Sequence, residues 1–150
     1  MNNPCAEWQI DKVVARPYRQ VVGTYATEAR ALALRLLEAI SESLGLDRSH
    51  MVTAMGRQAQ HMAVNYYPPC PQPELTCGLP GHKDPNAITL LLQDGVSGLQ
   101  VQRDGRWVAV NPVPDALVVN IGDQLQVQRP ALLPRGIVVD LARPAVLKRA

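Results

Sequence analysis

The sequence predicts an α+β fold, and three observations carry this prediction. A helical repeat of apolar residues occupies residues 17–44, short strand-like segments follow between residues 62 and 121, and Gly, Pro and Asp separate these segments. Short strands at regular spacing favour an antiparallel sandwich or jelly roll, with the helix packed outside it. At 150 residues and 47% hydrophobic content, the chain is long and apolar enough for one such core.

The predicted helix carries apolar residues at steps of three and four, which we interpret as a core-facing stripe. The stripe consists of Val21, Tyr25, Ala29, Leu32, Leu36, Ile40 and Leu44. Pro17 suits the first turn, and Gly45 followed by Leu46 predicts a Schellman ending. A second short helix is expected over residues 47–55, capped by Asp47 and ended by Gly56.

Strands are predicted where apolar residues alternate or cluster between turn residues. The segments are residues 62–66, 88–92, 99–103, 106–110 and 116–121. The first runs into four prolines between positions 68 and 73, which force a stiff extended connection. The third and fourth are expected to form a hairpin, because Asp104-Gly105 between them is a strong type I′ turn signal.

Composition predicts a cytoplasmic protein without a membrane or nucleic-acid partner. No secretory signal opens the chain, no run of 18 apolar residues occurs, and three cysteines without a signal favour reduced thiols. The net charge is +2, and the positive charge is concentrated in residues 127–150. That segment has no interleaved aromatic residues and no recognition helix, so nucleic-acid binding is not expected.

The candidate metal ligands are His82 and Asp84, which are separated by one residue. On an extended backbone both side chains leave the same face and can converge on one metal ion. Such a spacing is weak evidence by itself, because it arises often by chance. Cys70 and Cys77 with His82 could form a zinc site instead, although structural zinc usually uses more closely spaced cysteine pairs.

Five separated motifs surround this pair and appear in a fixed order. They are NYYPPCPQPEL at residues 65–75, GLPGHKDP at 78–85, GLQV at 98–101, Trp107, and NIGDQ at 120–124. Together they closely resemble the plant dioxygenases that use iron and 2-oxoglutarate, a family with an isopenicillin N synthase-like fold that includes flavanone and salicylate hydroxylases. The resemblance covers residues 17–126.

The resemblance implies a double-stranded β-helix and an iron(II) site held by His82 and Asp84. It implies that the Tyr67 hydroxyl contacts the co-substrate 2-oxoglutarate and that Asn65 is a polar neighbour in the same pocket. The reaction would hydroxylate a small organic substrate, such as a phenolic or flavonoid compound, with ascorbate supporting the iron. For Asn120 and Asp123 the expectation is a structural role at turns.

The sequence also departs from the family pattern. The histidines are His50, His61 and His82, so none follows Asp84 as the distal family ligand would, and no Arg-x-Ser is present to bind 2-oxoglutarate. We therefore expect a truncated, inactive member of the family. The alternatives are an interaction module that self-associates through open sheet edges, and a small sugar- or metal-binding cupin, which shares the jelly roll but not the motifs.

These observations divide the chain into four predicted segments. Residues 1–16 are loose, residues 17–56 are helical, residues 57–126 form a partial dioxygenase core, and residues 127–150 are a tail foreign to the family. The tail is expected to contribute at most one short strand at residues 137–139.

Overall fold

Helices and short antiparallel strands make up the structure, a computed structural model that describes residues 16–128 and 138–141. Two compact units divide these residues: the helical unit ends at residue 65, and the β unit begins at residue 66. The α+β class is the one predicted from the sequence. None of the helices in the described ranges is long and apolar enough to span a bilayer.

Helix α1 spans Arg16–Ser43, close to the helix predicted over residues 17–44. Its burial differs from the predicted stripe, because Val21 and Tyr25 are exposed while Leu37, outside that stripe, is buried. Burial is therefore concentrated in the C-terminal half of the helix.

Ser41 lies in this buried half, and its hydroxyl links α1 to the second helix, α2 (His50–Ala54). The hydroxyl donates to the Leu37 carbonyl at 2.9 Å and accepts the backbone N–H of buried Met51 at 3.1 Å. A buried N–H without an acceptor costs about 1–3 kcal/mol, so this hydroxyl stabilises the junction between the helices.

Helix α1 ends in the predicted Schellman motif. The N–H of Gly45 donates to the Glu42 carbonyl and the N–H of Leu46 donates to the Ser41 carbonyl, both at 3.0 Å. Gly45 has a φ of 70°, a conformation that costs glycine little because it lacks a Cβ. The motif satisfies two carbonyls at the helix end.

Helix α2 begins three residues later than predicted. Asp47 does not cap it; its Oδ1 accepts the Ser49 hydroxyl at 2.6 Å and the Ser49 N–H at 2.8 Å, which forms a turn ahead of the helix. These two hydrogen bonds, the hydroxyl first, lower the pKa of Asp47. Gly56 follows the helix with a φ of 59°, as expected of its end.

The strands of the β unit form two antiparallel sheets. They are β1 (Leu79–His82), β2 (Ile88–Leu92), β3 (Leu99–Arg103), β4 (Arg106–Ala109), β5 (Leu117–Ile121) and β6 (Val138–Leu141). One sheet has the order β1-β6-β3-β4, and the other pairs β2 with β5. Helix α3 (Asp123–Gln128) follows β5. The segments predicted at residues 88–92, 99–103, 106–110 and 116–121 are thus strands within one or two residues.

The strand predicted at residues 62–66 is wrong. The segment pairs with none of the described strands, and Met62, Val64 and Tyr66 are exposed. An alternating pattern marks a strand only where a partner satisfies the backbone N–H and C=O groups. Here the chain runs directly into the prolines, which cannot donate to a ladder.

The segment 127–150 contributes β6, which lies between β1 and β3. Val139 is opposite His82 on one side and Val101 on the other. Residues 1–15, 129–137 and 142–150, including Ile137 of the expected strand, lie outside the described residues. The predicted division into four segments stays a prediction.

Candidate metal centre

His82 is the last residue of β1, and its ring is held by its own strand. Nδ1 lies 2.9 Å from the carbonyl oxygen of Pro80. A carbonyl oxygen can only accept, so in the neutral ring Nδ1 carries the proton and Nε2 keeps its lone pair. Metal-binding histidines are commonly oriented by such a hydrogen bond from the second ring nitrogen. The side chain is 39% exposed.

Asp84 lies beside this nitrogen. Its Oδ1 is 3.5 Å from His82 Nε2, and its side chain is only 15% exposed. Its other oxygen, Oδ2, is buried and has no hydrogen-bond partner among the described residues. Burying a carboxylate oxygen without a partner is unfavourable, and a bound cation is one way in which proteins offset that cost.

The backbone around Asp84 is fixed by the segment after β5. The N–H of Asp123 donates to the Asp84 carbonyl at 2.8 Å, and the N–H of Gly122 donates to the Ala87 carbonyl at 2.9 Å. Pro85 restricts Asp84 further, because a residue before proline is confined to extended conformations. The loop from residue 84 to 87 is therefore ordered by both local and distant sequence.

These residues fit a divalent metal ion with open coordination positions. Metal bonds to histidine and carboxylate are about 2.1 Å long, so two adjacent ligands at right angles lie about 3 Å apart. The observed 3.5 Å between Nε2 and Oδ1 is close to that separation. One imidazole and one carboxylate are two of the three ligands of the facial site that non-haem iron(II) oxygenases use.

The described residues do not contain a third ligand at this point. No group of three or more His, Cys, Asp or Glu side chains within residues 16–128 and 138–141 is arranged to hold one metal ion. The zinc alternative built from Cys70, Cys77 and His82 is therefore not formed in this structure.

Tyr67 belongs to the extended segment after the helical unit. Partial burial raises the pKa of its phenol, and the neighbouring Cys77 raises it further. A tyrosine phenol is already protonated at neutral pH, and a raised pKa leaves it available as a hydrogen-bond donor. In the described part of the chain its hydroxyl makes no hydrogen bond to His82 or Asp84, so its role at the co-substrate stays a prediction.

The remaining candidates lie at different places. Asn65 is exposed and is the last residue of the helical unit, so its predicted role also stays a prediction. His50 and His61 are both exposed. Asn120, expected at a turn, lies inside β5 opposite Thr89 and is buried.

Two supports of the site were not predicted from the sequence: the Pro80 carbonyl and the backbone amides of residues 122–124. The Pro-Gly-His order makes the first contact local, so it could have been anticipated from the sequence. The only local sign of the amide contacts is the Gly-Asp pair that ends a predicted strand. Nothing in the local sequence shows that these amides reach back to Asp84.

A family model described as the 2OG-Fe(II) oxygenase superfamily matches residues 58–135. That match includes all the candidate ligands and continues into the segment predicted to be foreign to the family. Three individual comparisons accompany it.

Among curated plant proteins, the chain is 67% identical over 110 residues to DMR6-like oxygenase 1 of Arabidopsis thaliana, which is 73% of this chain and 32% of that protein. It is 64% identical, over the same length and shares, to flavanone 3-dioxygenase 2 of Oryza sativa subsp. japonica. The chain thus spans about a third of the length of these relatives.

Among solved structures, the chain matches the crystal structure of JOX2 in complex with 2OG, Fe and JA. The TM-score is 0.73 and the identity 35%, and the match covers 87% of this chain and 40% of that one. The family expected from the motifs is confirmed by this match, by the family model and by both plant relatives: the chain belongs to the 2OG-Fe(II) oxygenase superfamily.

Proposed function

We propose that the β unit is part of an iron(II)/2-oxoglutarate dioxygenase core in which His82 and Asp84 bind the metal ion. The observation that carries the proposal is the buried, unpartnered Oδ2 of Asp84, whose other oxygen, Oδ1, lies 3.5 Å from Nε2 of His82. In this proposal the two sheets are parts of a double-stranded β-helix. The relatives are more than twice as long as this chain, and the matched segment is about a third of their length.

When bound, iron(II) would supply the oxidative chemistry that couples decarboxylation of 2-oxoglutarate to hydroxylation of an organic substrate. The residues of this chain would bind the metal ion and 2-oxoglutarate and orient them. Pro80 fixes the His82 ring, and Asp84 contributes a negative charge that offsets part of the charge of the ion. The protonated Tyr67 hydroxyl would donate a hydrogen bond to 2-oxoglutarate, and Asn65 would add a polar contact.

We propose that the substrate is a small phenolic or flavonoid molecule and that the protein acts in the cytoplasm. Support comes from the similarity to the rice protein named flavanone 3-dioxygenase 2. Ascorbate would maintain the iron in its reduced state.

The 150 residues by themselves supply two protein ligands in this proposal. No histidine follows Asp84, and no Arg-x-Ser occurs to bind the far carboxylate of 2-oxoglutarate. We therefore expect weak iron binding and no conversion of 2-oxoglutarate to succinate by this chain.

A second candidate function is a binding module that uses an open sheet edge. Strand β4 is paired only with β3 among the described strands, and its Trp107 and Val108 are 42% and 47% exposed. Exposed apolar edge strands readily pair with other chains. Self-association that disappears in Val108→Lys, in a chain that binds no metal, would favour this candidate.

Anaerobic titration with iron(II) tests the metal site. The unaltered chain should bind one ion weakly, and His82→Ala and Asp84→Ala should abolish that binding. Lys83→Ala is the matched control, because Lys83 is exposed between the two ligands and should bind as the unaltered chain does. Tight binding of one ion that persists in His82→Ala would place the ligands elsewhere.

A succinate assay with iron(II), 2-oxoglutarate and ascorbate tests the activity of the chain. We expect no succinate above the metal-only background. Succinate that disappears in both His82→Ala and Asp84→Ala would contradict this expectation and would establish a dioxygenase site with two protein ligands.

A further inference from the structure

Gly122 lies against the backbone of Asn86 with no space for a side chain. A Cβ at Gly122 would overlap the Asn86 carbonyl oxygen and lie 2.7 Å from its carbonyl carbon. Backbone atoms cannot turn away as a flexible side chain can, so a larger residue must displace one of the two segments. By contrast, Gly23, Gly45, Gly56, Gly95 and Gly105 have no heavy atom within 4 Å of such a position.

This close approach belongs to a short irregular ladder. Beyond the last β2–β5 pair, Ile88 opposite Ile121, the amides of Gly122, Asp123 and Gln124 donate to the carbonyls of residues 87, 84 and 86, at 2.9, 2.8 and 3.2 Å. We call residues 122–124 the clamp. It fixes the whole loop that carries Asp84, and the loop can lie this close only because Gly122 has no Cβ.

The loop is also fixed from its other end. The Asn86 side-chain amide donates to the Thr89 hydroxyl at 3.0 Å, at the start of β2. With Pro85 between Asp84 and Asn86, little backbone freedom remains, and the carboxylate position follows the backbone position. A binding site must be held to within about 0.5 Å of its productive geometry, so a small displacement of this loop matters.

We propose that Gly122 is a positioning residue for the metal-binding carboxylate: the clamp holds Asp84 so that its oxygens face the same ion as His82 Nε2. The inference rests on the proposed function, because it assumes that Asp84 binds the metal. The inference assigns the clamp a role that its backbone performs. The amides of residues 122–124 hold the loop, and the absence of a Cβ at Gly122 lets the loop approach.

The test compares Gly122→Ala with Gly105→Ala in the full chain. Both make the same chemical change in the same β unit. Gly105→Ala strains the hairpin turn, where φ is 75°, but touches nothing near Asp84. Cobalt(II) alone is the metal probe, since its absorption spectrum reports both affinity and coordination. Amide hydrogen exchange of the metal-free chain reports the clamp, with the Val110 amide, which donates to Leu99 at 2.9 Å, as the reference.

We expect Gly122→Ala to bind cobalt(II) at least tenfold more weakly, with an altered spectrum. Its amides at residues 123 and 124 should exchange at least tenfold faster, while Val110 is unchanged. Gly105→Ala should bind cobalt(II) within twofold of the unaltered chain. Unchanged affinity and spectrum in Gly122→Ala would overturn the positioning role.

A second measurement on the unaltered chain covers the case in which Gly122→Ala does not fold. If the clamp and the metal site are coupled, saturating zinc(II) must slow exchange at Asp123 severalfold more than at Val110, because a ligand stabilises what it binds. Equal slowing at both amides would overturn the inference. Absence of any metal binding by the unaltered chain would instead remove the proposed function, and the positioning role with it.

Discussion

The β unit contains two antiparallel strand pairs that are built in opposite ways. The β3–β4 pair is a hairpin closed by Asp104 and Gly105, whose φ values of 50° and 75° suit a type I′ turn. The β2–β5 pair joins strands that are distant in sequence, with Ile88 opposite Ile121, and it extends into the clamp around Asp84. All four residues of β4 are exposed, whereas β5 is partly or fully buried along its length.

The difference separates what local sequence can specify from what it cannot. The register of a hairpin follows from two turn residues between two apolar runs, so it can be predicted from local sequence. The β2–β5 pair requires long-range closure, which costs conformational entropy and must be offset by burial and hydrogen bonds. In this chain the candidate metal ligand Asp84 depends on the long-range pair.

The largest expected effect tests how far the hairpin depends on its buried anchor. Leu99 begins β3 and is 1% exposed. Leu99→Ala should lower the free energy of unfolding by about 3 kcal/mol, through lost burial and the cavity left behind. Val108→Ala, on exposed β4, should cost less than about 1 kcal/mol. Urea denaturation measures both, and equal losses would mean that the hairpin is buried on both faces.

Asp84→Ala at the candidate metal site should have the opposite effect on the free energy of unfolding to Leu99→Ala. The carboxylate is nearly buried and its Oδ2 lacks a partner, so without metal its removal should not destabilise the chain and should raise the free energy of unfolding by up to about 1 kcal/mol. The increase in melting temperature on adding iron(II) or cobalt(II) should disappear in the same variant. A metal-free loss above about 1 kcal/mol would indicate an unrecognised structural partner for this carboxylate.

Gly105→Ala tests whether the hairpin needs glycine at its turn. A non-glycine residue at φ 75° should cost about 1 kcal/mol in thermal or urea unfolding, without any steric contact. Gly23→Ala, in the interior of α1, is the matched control and should instead stabilise by up to about 1 kcal/mol. If both substitutions stabilise, the positive φ at the hairpin turn is not required.

The smallest effect concerns charge across the hairpin. Arg103 and Arg106 are directly opposite each other, and like charges in that arrangement are destabilising. Arg106→Glu should stabilise by about 0.5 kcal/mol at low salt, with the gain reduced at high salt. Arg57→Glu makes the same charge change at an exposed position outside the strands. A gain of equal size there would attribute the effect to net charge.

The hairpin and the Schellman ending were predictable because each depends on two adjacent residues with special backbone needs, Asp104-Gly105 and Gly45-Leu46. The strand at residues 62–66 was mispredicted because alternation says nothing about a partner. In the same way, the His82-Asp84 pair was visible as a spacing, but the close approach of Gly122 to Asn86 joins residues far apart in sequence. The burial of α1 differs from the predicted stripe because α2, which the apolar repeat of α1 does not reveal, is linked to its C-terminal half through Ser41.

The position of β6 has a consequence for the order in which the site can assemble during synthesis. The clamp is complete once residue 124 has left the ribosome, so Asp84 can be held early. Among the strands that the structure describes, β1, which ends at His82, pairs with β6 at residues 138–141 alone. A nascent chain that pauses between these points would carry one ordered ligand and one on an unpaired strand, so a metal ion arriving then would meet only half of the donor pair.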